Sequence, residues 1–337
     1  MGKRKSSAPS RRQGVGVVSA SASASSAGSP LKKLKVGGKG GAASASPAAS
    51  TDVDTDKDTV DVEIDVEILV QATPGGAYCA TTCGRRGSME DRHAELETRS
   101  ADFFGVFDGH GGAKCAQFCS EKLFNMVLAD RKFKRRPSDA LRDTFIRADQ
   151  QWCKEARRKK QPDGTTATVL CVTKQGGKKK DKRYYVANTG DSRTILVKVD
   201  GAATPLSEMH SPSLESEKKR IHDMGGTVLF DDIDKIHRVD GILAVSRAIG
   251  DYWVKPYVTG EPGVKAYDFS PNDLCVILAS DGLWDDVSPE EAGKVAVEYA
   301  QDPAGAAKNL VSLAYRRGSE DNICVTVVPL GNYINDK

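Results

Sequence analysis

The 337 residues are enough for one large domain or two ordinary ones, each able to bury a sizeable core. With 39% hydrophobic and 28% charged residues the composition is near the globular average, and the apolar runs fall far short of the roughly 18 residues of a spanning helix, which excludes fibrous, coiled-coil and membrane-spanning classes. The net charge of +3 conceals an asymmetry: residues 1–50 hold nine of the 49 Lys and Arg and no acid, leaving 40 basic against 46 acidic residues elsewhere.

In chain order, the first segment is a basic tail. No apolar stretch follows Lys3, Arg4 and Lys5, so a secretory signal is not expected and the compartment is read as a reducing one. The eight cysteines, at 79, 83, 115, 119, 153, 171, 275 and 324, are then thiols; without a C-x-x-C pair they speak against a zinc knuckle and a disulfide framework. Thirty of the first 50 residues are Ala, Ser or Gly and none is aromatic, too little apolar surface to offset the entropy of ordering. Residues 1–60 therefore read as a disordered tail with an acidic linker. Its clusters Lys3-Arg4-Lys5, Arg11-Arg12 and Lys32-Lys33-Leu34-Lys35 suit an import receptor or a weak polyanion contact, or simply solubilise the chain. A nuclear or cytoplasmic location is expected. Gly2 and Ser6 meet the minimal myristoylation pattern, against which Lys3 and Arg4 argue.

From Asp52 to Glu67 eight acids face only Lys57, and Asp61–Ile68 alternates strictly, which reads as an edge strand or an unsettled linker. Residues 61–333 form the folded domain, because short β-branched runs alternate with capped helices and no second linker interrupts them. Helices are expected over roughly 112–129, where Cys115 and Cys119 are packing residues, and from Ser138 to Arg157. Two more begin at Ser288-Pro289-Glu290-Glu291, with its N-cap and capping-box acid, and at Asp302-Pro303, the latter stopping at Gly318. Strands are expected at Phe103–Phe107, Thr166–Val172, Tyr184–Ala187, Thr194–Val199, Leu243–Val245, Leu274–Ala279 and Ile323–Val328. The Lys-rich stretch Lys174–Arg183 reads as a solvated hairpin loop with some attraction for acidic phosphoproteins.

The acids stand at the ends of these strands. Phe103–Phe107 leads into Asp108-Gly109-His110, Leu274–Ala279 leads into Ser280-Asp281-Gly282, Asp321 precedes Ile323–Val328, and Glu90-Asp91 follows Tyr78. Taken singly, an Asp-Gly pair is more often a turn than a ligand. Four or five carboxylates converging on one point repel one another unless a cation holds them. An oxygen donor set with few histidines selects a hard ion, Mg²⁺ or Mn²⁺, over zinc.

On these residues the sequence resembles the metal-dependent protein serine/threonine phosphatases of type 2C. Over about 78–332 the family's motifs occur in order: Arg86 with Met89-Glu90-Asp91, Phe107-Asp108-Gly109-His110-Gly111-Gly112, Asp163-Gly164-Thr165-Thr166-Ala167, Gly190-Asp191-Ser192-Arg193, Val245-Ser246-Arg247-Ala248-Ile249-Gly250-Asp251, Ser280-Asp281-Gly282-Leu283-Trp284-Asp285 and Asp321-Asn322. The resemblance implies a monomeric α+β fold, a four-layer α/β/β/α sandwich of two antiparallel sheets flanked by helices. It implies two metal ions bridged by Asp108, with Glu90 and the Gly109 carbonyl on one side and Asp281 and Asp321 on the other. Asp91 would orient metal-bound water, and Asp191 and Asp285 would hold a third, weaker ion. It further implies attack on phosphoserine or phosphothreonine proteins by a metal-bridging water, without a phosphoenzyme, with Arg86 on the phosphate and His110 as general acid. The family's flap is expected within 205–240, where Glu208-Met209-His210-Ser211-Pro212 departs from the common pattern. Trp284 is expected to pack beneath the site and Arg247 to bond within the fold. Two rivals are an inactive phosphoprotein-binding scaffold, which through its tail could also touch nucleic acid, and a cysteine-dependent phosphatase built on Cys79–Arg85, a formal C-x5-R match without the helix start that its thiolate would need.

Overall fold

The computed structural model describes residues 66–174 and 182–334. The tail, the first half of the acidic alternation and the middle of the Lys-rich stretch, 175–181, lie outside these residues. The chain runs through β1 (Leu69–Ala72), β2 (Tyr78–Thr82), β3 (Arg92–Glu97), β4 (Ala101–Phe107), β5 (Gly109–His110), α1 (Lys114–Ala129) and α2 (Pro137–Lys159). It continues through β6 (Gly164–Thr165), β7 (Ala167–Thr173), β8 (Arg183–Thr189), β9 (Arg193–Lys198), β10 (Ala203–Pro205), α3 (Glu215–Asp223), β11 (Val228–Asp231) and β12 (Ile236–Val239). It closes with β13 (Ile249–Gly250), β14 (Gly263–Asp268), β15 (Asp273–Ala279), α4 (Asp281–Trp284), α5 (Pro289–Glu298), α6 (Pro303–Arg317), β16 (Ile323–Pro329) and α7 (Gly331–Ile334).

Two large antiparallel sheets result, ordered β1-β2-β16-β15-β9-β10 and β14-β8-β7-β4-β3, with two small ones, β13-β6-β5 and β11-β12. Helices α1 and α2 cover the outer face of the second sheet, and α5 and α6 that of the first, giving the four-layer sandwich. A strand covered on both faces must be apolar at successive positions rather than alternate ones. Strand β4 shows why: Phe103 and Phe107 pack under α1 and α2, while Phe104 and Val106 point into the space between the sheets with Leu170, Val186, Val276 and Leu278. At Gly105 a Cβ would lie 2.9 Å from both the Phe107 and Phe124 rings, so a side chain there would force these packed rings to shift.

The helix ends follow the local chemistry. Ser288 and Glu291 form a reciprocal capping box, the Asp302 carboxylate accepts from the Gly305 amide at 2.9 Å, and Gly318 closes α6 at φ 110°. Cys115 and Cys119 are buried in the core under α1, as their spacing requires.

Some expectations fail locally. Leu243–Val245 is not a strand; Asp240 and Gly241 turn the chain at φ 49° and 70°, and Val245 is drawn into a small core with Ile221, Val239, Ala248, Val254 and Val258, against which Leu243 packs. Helix α3 escapes notice because Glu215–Asp223 carries a single aliphatic residue, Ile221, and so has no apolar stripe. The edge strand is β1, immediately beyond the alternating acids and paired on one side with β2.

Helix α3 and the β11–β12 hairpin lie in the segment, 205–240, expected to hold the flap. It is fastened through one buried acid, Glu217, whose carboxylate accepts from Arg220 at 2.8 Å and from Arg247 at 2.5 Å and 3.0 Å. Arg247 thus does bond within the fold. Burial alone would raise the Glu217 pKa, but its hydrogen bonds to Arg247 and Arg220 and their charges outweigh it and hold the carboxyl at about 2. A depressed folded-state pKa stabilises the chain above the unfolded value near 4.5 and loses that contribution as pH falls towards 2. Glu217→Gln is therefore expected to cost about 3 kcal/mol in urea unfolding at pH 7, with the gap from wild type narrowing steadily below pH 4.5. An unchanged gap at pH 3 would show that the clamp is not electrostatic.

Candidate metal centre

Strand pairing gathers the acids at one edge of the sandwich. Arg92 pairs with Phe107, so Glu90 and Asp91, just before β3, stand beside Asp108, just after β4. Ala279 pairs with both Val325 and Arg193, which brings Asp281, Asp321 and Asp191 to the same end of the other sheet. Carboxylate oxygens of Asp108, Asp191 and Asp281 lie within 4.8 Å of one another.

The surroundings hold these acids by neutral groups rather than by buried cations. The Ser280 hydroxyl donates to the Asp91 carboxylate at 2.8 Å and accepts the Cys324 amide at 3.1 Å. The Asp108 carbonyl accepts from the Thr166 amide at 2.8 Å and the Thr165 hydroxyl at 2.9 Å. Asn322 ties three strands' ends together: its side-chain oxygen accepts the Glu90 amide at 2.7 Å, and its amide donates to the Cys83 and Ser88 carbonyls at 3.0 and 2.9 Å. Gly109 leaves the Glu90 carbonyl room, because a Cβ there would lie only 2.6 Å from that oxygen.

Burial, followed by the charges of Asp281 and Asp321, outweighs the Ser280 hydrogen bond and pushes the Asp91 carboxyl up to about 8. Burial and the charges of Asp281, Asp91 and Asp191 raise Asp108 well above the carboxylate range. Asp191 is pushed up to about 7 and Asp285 to about 6, in both by burial and then by Asp281. So much like charge crowded at a partly buried edge fits a divalent cation, and a donor set of oxygen alone fits a hard one.

Every acid singled out in the sequence comes to this edge, but with different roles in the geometry. Asp191, expected at the weaker third position, belongs to the tightest trio, whereas Glu90 and Asp321 do not. Glu90 accepts the Gly112 amide at 3.0 Å, and Asp321 pairs with Arg86 at 2.8 Å. Arg86 is more than half exposed at the rim and also bonds the Glu320 carbonyl at 2.9 Å. His110 faces Asp251, Nε2 to carboxylate oxygen 2.8 Å. Burial lowers the His110 pKa, yet Asp251, Asp191 and Glu90 together raise it above 6.5. Asp251, Ser280 and Asn322 sit inside the quoted motifs, but nothing in their spacing marks them as supports; Asp251 lies 141 positions from its partner.

Trp284 packs beneath the site and donates to the Ala279 carbonyl at 3.0 Å. In place of the usual flap residues, His210 is buried, its pKa pushed down to about 4 chiefly by that burial, and it accepts the Gly190 amide at 3.3 Å, next to Asp191. The C-x5-R reading fails: Cys79 lies within β2, sealed between the sheets, and Arg85 turns away to the Tyr315 and Ser319 carbonyls.

This fold and acid edge define a protein phosphatase 2C domain. The chain belongs to that family, whose sequence profile, Protein phosphatase 2C, matches residues 78–323. It is 38% identical over 250 residues to "Probable protein phosphatase 2C member 13, mitochondrial" of Oryza sativa subsp. japonica, covering 73% of this chain and 65% of that one. It is also 38% identical over 253 residues to "Probable protein phosphatase 2C 59" of Arabidopsis thaliana, covering 74% and 78%. The solved structure of a serine-threonine phosphatase 2C from Toxoplasma gondii shares the fold, with a TM-score of 0.67 at 22% identity across 78% of this chain and 99% of that one. The chain thus spans about two thirds of the rice relative's length.

The His110–Asp251 pair makes a direct prediction. A folded-state pKa raised by a partner keeps the imidazole protonated to higher pH, so Asp251→Asn, which keeps the shape, is expected to move the His110 titration to lower pH in an NMR pH series. An unmoved midpoint would remove Asp251 from this role.

Proposed function

We propose that the chain is a Mg²⁺- or Mn²⁺-dependent protein serine/threonine phosphatase acting on phosphoserine and phosphothreonine in proteins. The observation that carries this reading is the half-buried trio Asp108, Asp191 and Asp281, with the exposed Arg86 paired to Asp321 at the rim of the same edge. Glu90, Asp108, the Gly109 carbonyl, Asp281 and Asp321 would hold two ions, and Asp191 and Asp285 a third. Such ions supply charge neutralisation to the phosphoryl group and acidify water into a nucleophile.

The chain's own residues do the rest. Arg86 exchanges Asp321 for two phosphoryl oxygens and fixes the phosphorus for in-line attack, a planar fork that lysine does not reproduce. Asp91, steadied by Ser280, accepts a hydrogen bond from the attacking water and so aims it. As the ester P–O bond breaks, His110 gives its proton to the leaving serine or threonine oxygen, while Asp251 stabilises the imidazolium beforehand. Water is consumed, alcohol and inorganic phosphate are released, and no residue is phosphorylated.

Hydrolysis of a phosphothreonine peptide by the full chain is expected to vanish on chelation and to return when Mn²⁺ or Mg²⁺ is restored. Asp108→Asn should lower kcat about 10³-fold, the several kcal/mol that divalent ions contribute to the transition state. A protein that binds the peptide equally with and without Mn²⁺, yet never turns it over, is a scaffold and overturns the proposal.

A further inference from the structure

A second cluster of metal-binding side chains lies in the apolar space between the sheets, on strands β2, β3 and β16. Cys79 and Cys324 occupy diagonal positions on paired strands, their sulfurs 3.8 Å apart. His93 and Glu95, two residues apart on β3, reach across from the other sheet, with His93 Nδ1 2.8 Å from Glu95 Oε1 and in hydrogen-bond contact with Cys79. All four are 7% exposed or less. One ligand atom each from Cys79, His93 and Glu95 lies within 4.8 Å of the others, and the second carboxylate oxygen of Glu95 is buried without a hydrogen-bond partner.

A hydrophobic interface has no need of an imidazole and a carboxylate, and an unpaired buried carboxylate oxygen costs about 1–3 kcal/mol. We propose that Cys79, His93, Glu95 and Cys324 bind one zinc ion in a closed tetrahedral site that bolts the two sheets together. Two thiolates at about 2.3 Å from a common ion, at the tetrahedral angle, stand about 3.8 Å apart, the separation found here. To reach bonds of about 2.0–2.2 Å, His93 Nδ1 and Glu95 Oε1 open by about half an ångström and the Cys324 sulfur, which lies outside the 4.8 Å cluster of Cys79, His93 and Glu95, closes on it. Two soft sulfurs select zinc over the Mg²⁺ or Mn²⁺ suited to the acid edge. Four protein ligands leave no open position, so the role is structural rather than catalytic.

Binding the ion as thiolates releases the protons of both thiols. Local C-x-x-C spacing is absent because the ligands come from three strands and span 246 positions, from Cys79 to Cys324. The site adjoins the acid edge through Cys324, whose amide bonds the Ser280 hydroxyl that holds Asp91.

Cobalt(II) tests this without relying on activity. The full chain, reduced, stripped of metal and loaded with one equivalent of Co²⁺ in an Asp108→Asn, Asp281→Asn background, is expected to show a near-ultraviolet thiolate-to-cobalt band and intense tetrahedral visible bands. An oxygen-only centre yields neither. The band should fall by about half in Cys324→Ser and disappear in the double Cys79→Ser, Cys324→Ser variant. Zinc added to the cobalt form should bleach it at one ion per chain. Absence of the thiolate band in the chain with both cysteines intact, or its persistence in the double cysteine variant, overturns the proposal, as does recovery of Cys79 and Cys324 joined in a disulfide after the reducing step.

Discussion

The structure turns on electrostatic repulsion held in place. Asp91, Asp108, Asp191 and Asp281 are crowded at a sheet edge where burial and mutual charge oppose their ionisation. Such an arrangement survives only where the surrounding framework is stiff enough to over-determine it. Here the stiffness comes from two sheets joined by a core of Phe104, Leu170, Tyr184, Val276 and Leu278, and from neutral hydrogen bonds by Ser280, Asn322, Thr165 and Thr166. Stability is spent on keeping charges together, which makes the edge a ready receptor for cations.

The rim is built on a different principle. Arg86 and Asp321 are partly exposed and paired in solvent, an arrangement worth little to stability and easily exchanged for a ligand. Glu217, itself buried, locks the partly buried Arg220 and Arg247, so the segment carrying α3 is fixed at its base while Phe230 and Ile233 on its hairpin remain exposed. Rigid base and apolar tip give the segment a firm root with a surface open to contact.

The parts legible in the sequence were those where one physical rule acted alone. Strands β4 and β15 are apolar runs because both faces are covered, and their terminal acids mark the site directly. Ser288 and Glu291, or Asp302 and Gly318, announce helix ends by local hydrogen bonding. Where two demands compete, the pattern blurs. His93 and Glu95 place polar groups on the inner face of β3, so that strand did not stand out, and α3 buries one aliphatic residue beside a clamped acid, which periodicity reads as solvated. The His110–Asp251 contact and the trio that includes Asp191 depend on strand register between distant segments, which a linear pattern does not encode.

Strand β16 lies between β2 and β15, although it comes last in sequence among the described strands. Through Asn322, at its threshold, it supplies the bonds that position Glu90 and the backbone around Arg86. While the polypeptide is still emerging from the ribosome, the early acids therefore exist without their later counterparts, and the first sheet has a gap at its centre. A copy that stops short of β16 keeps the β3–β4 and β9–β15 pairings but lacks Asp321 and Asn322, and with them the bonds that position Glu90 and the backbone around Arg86.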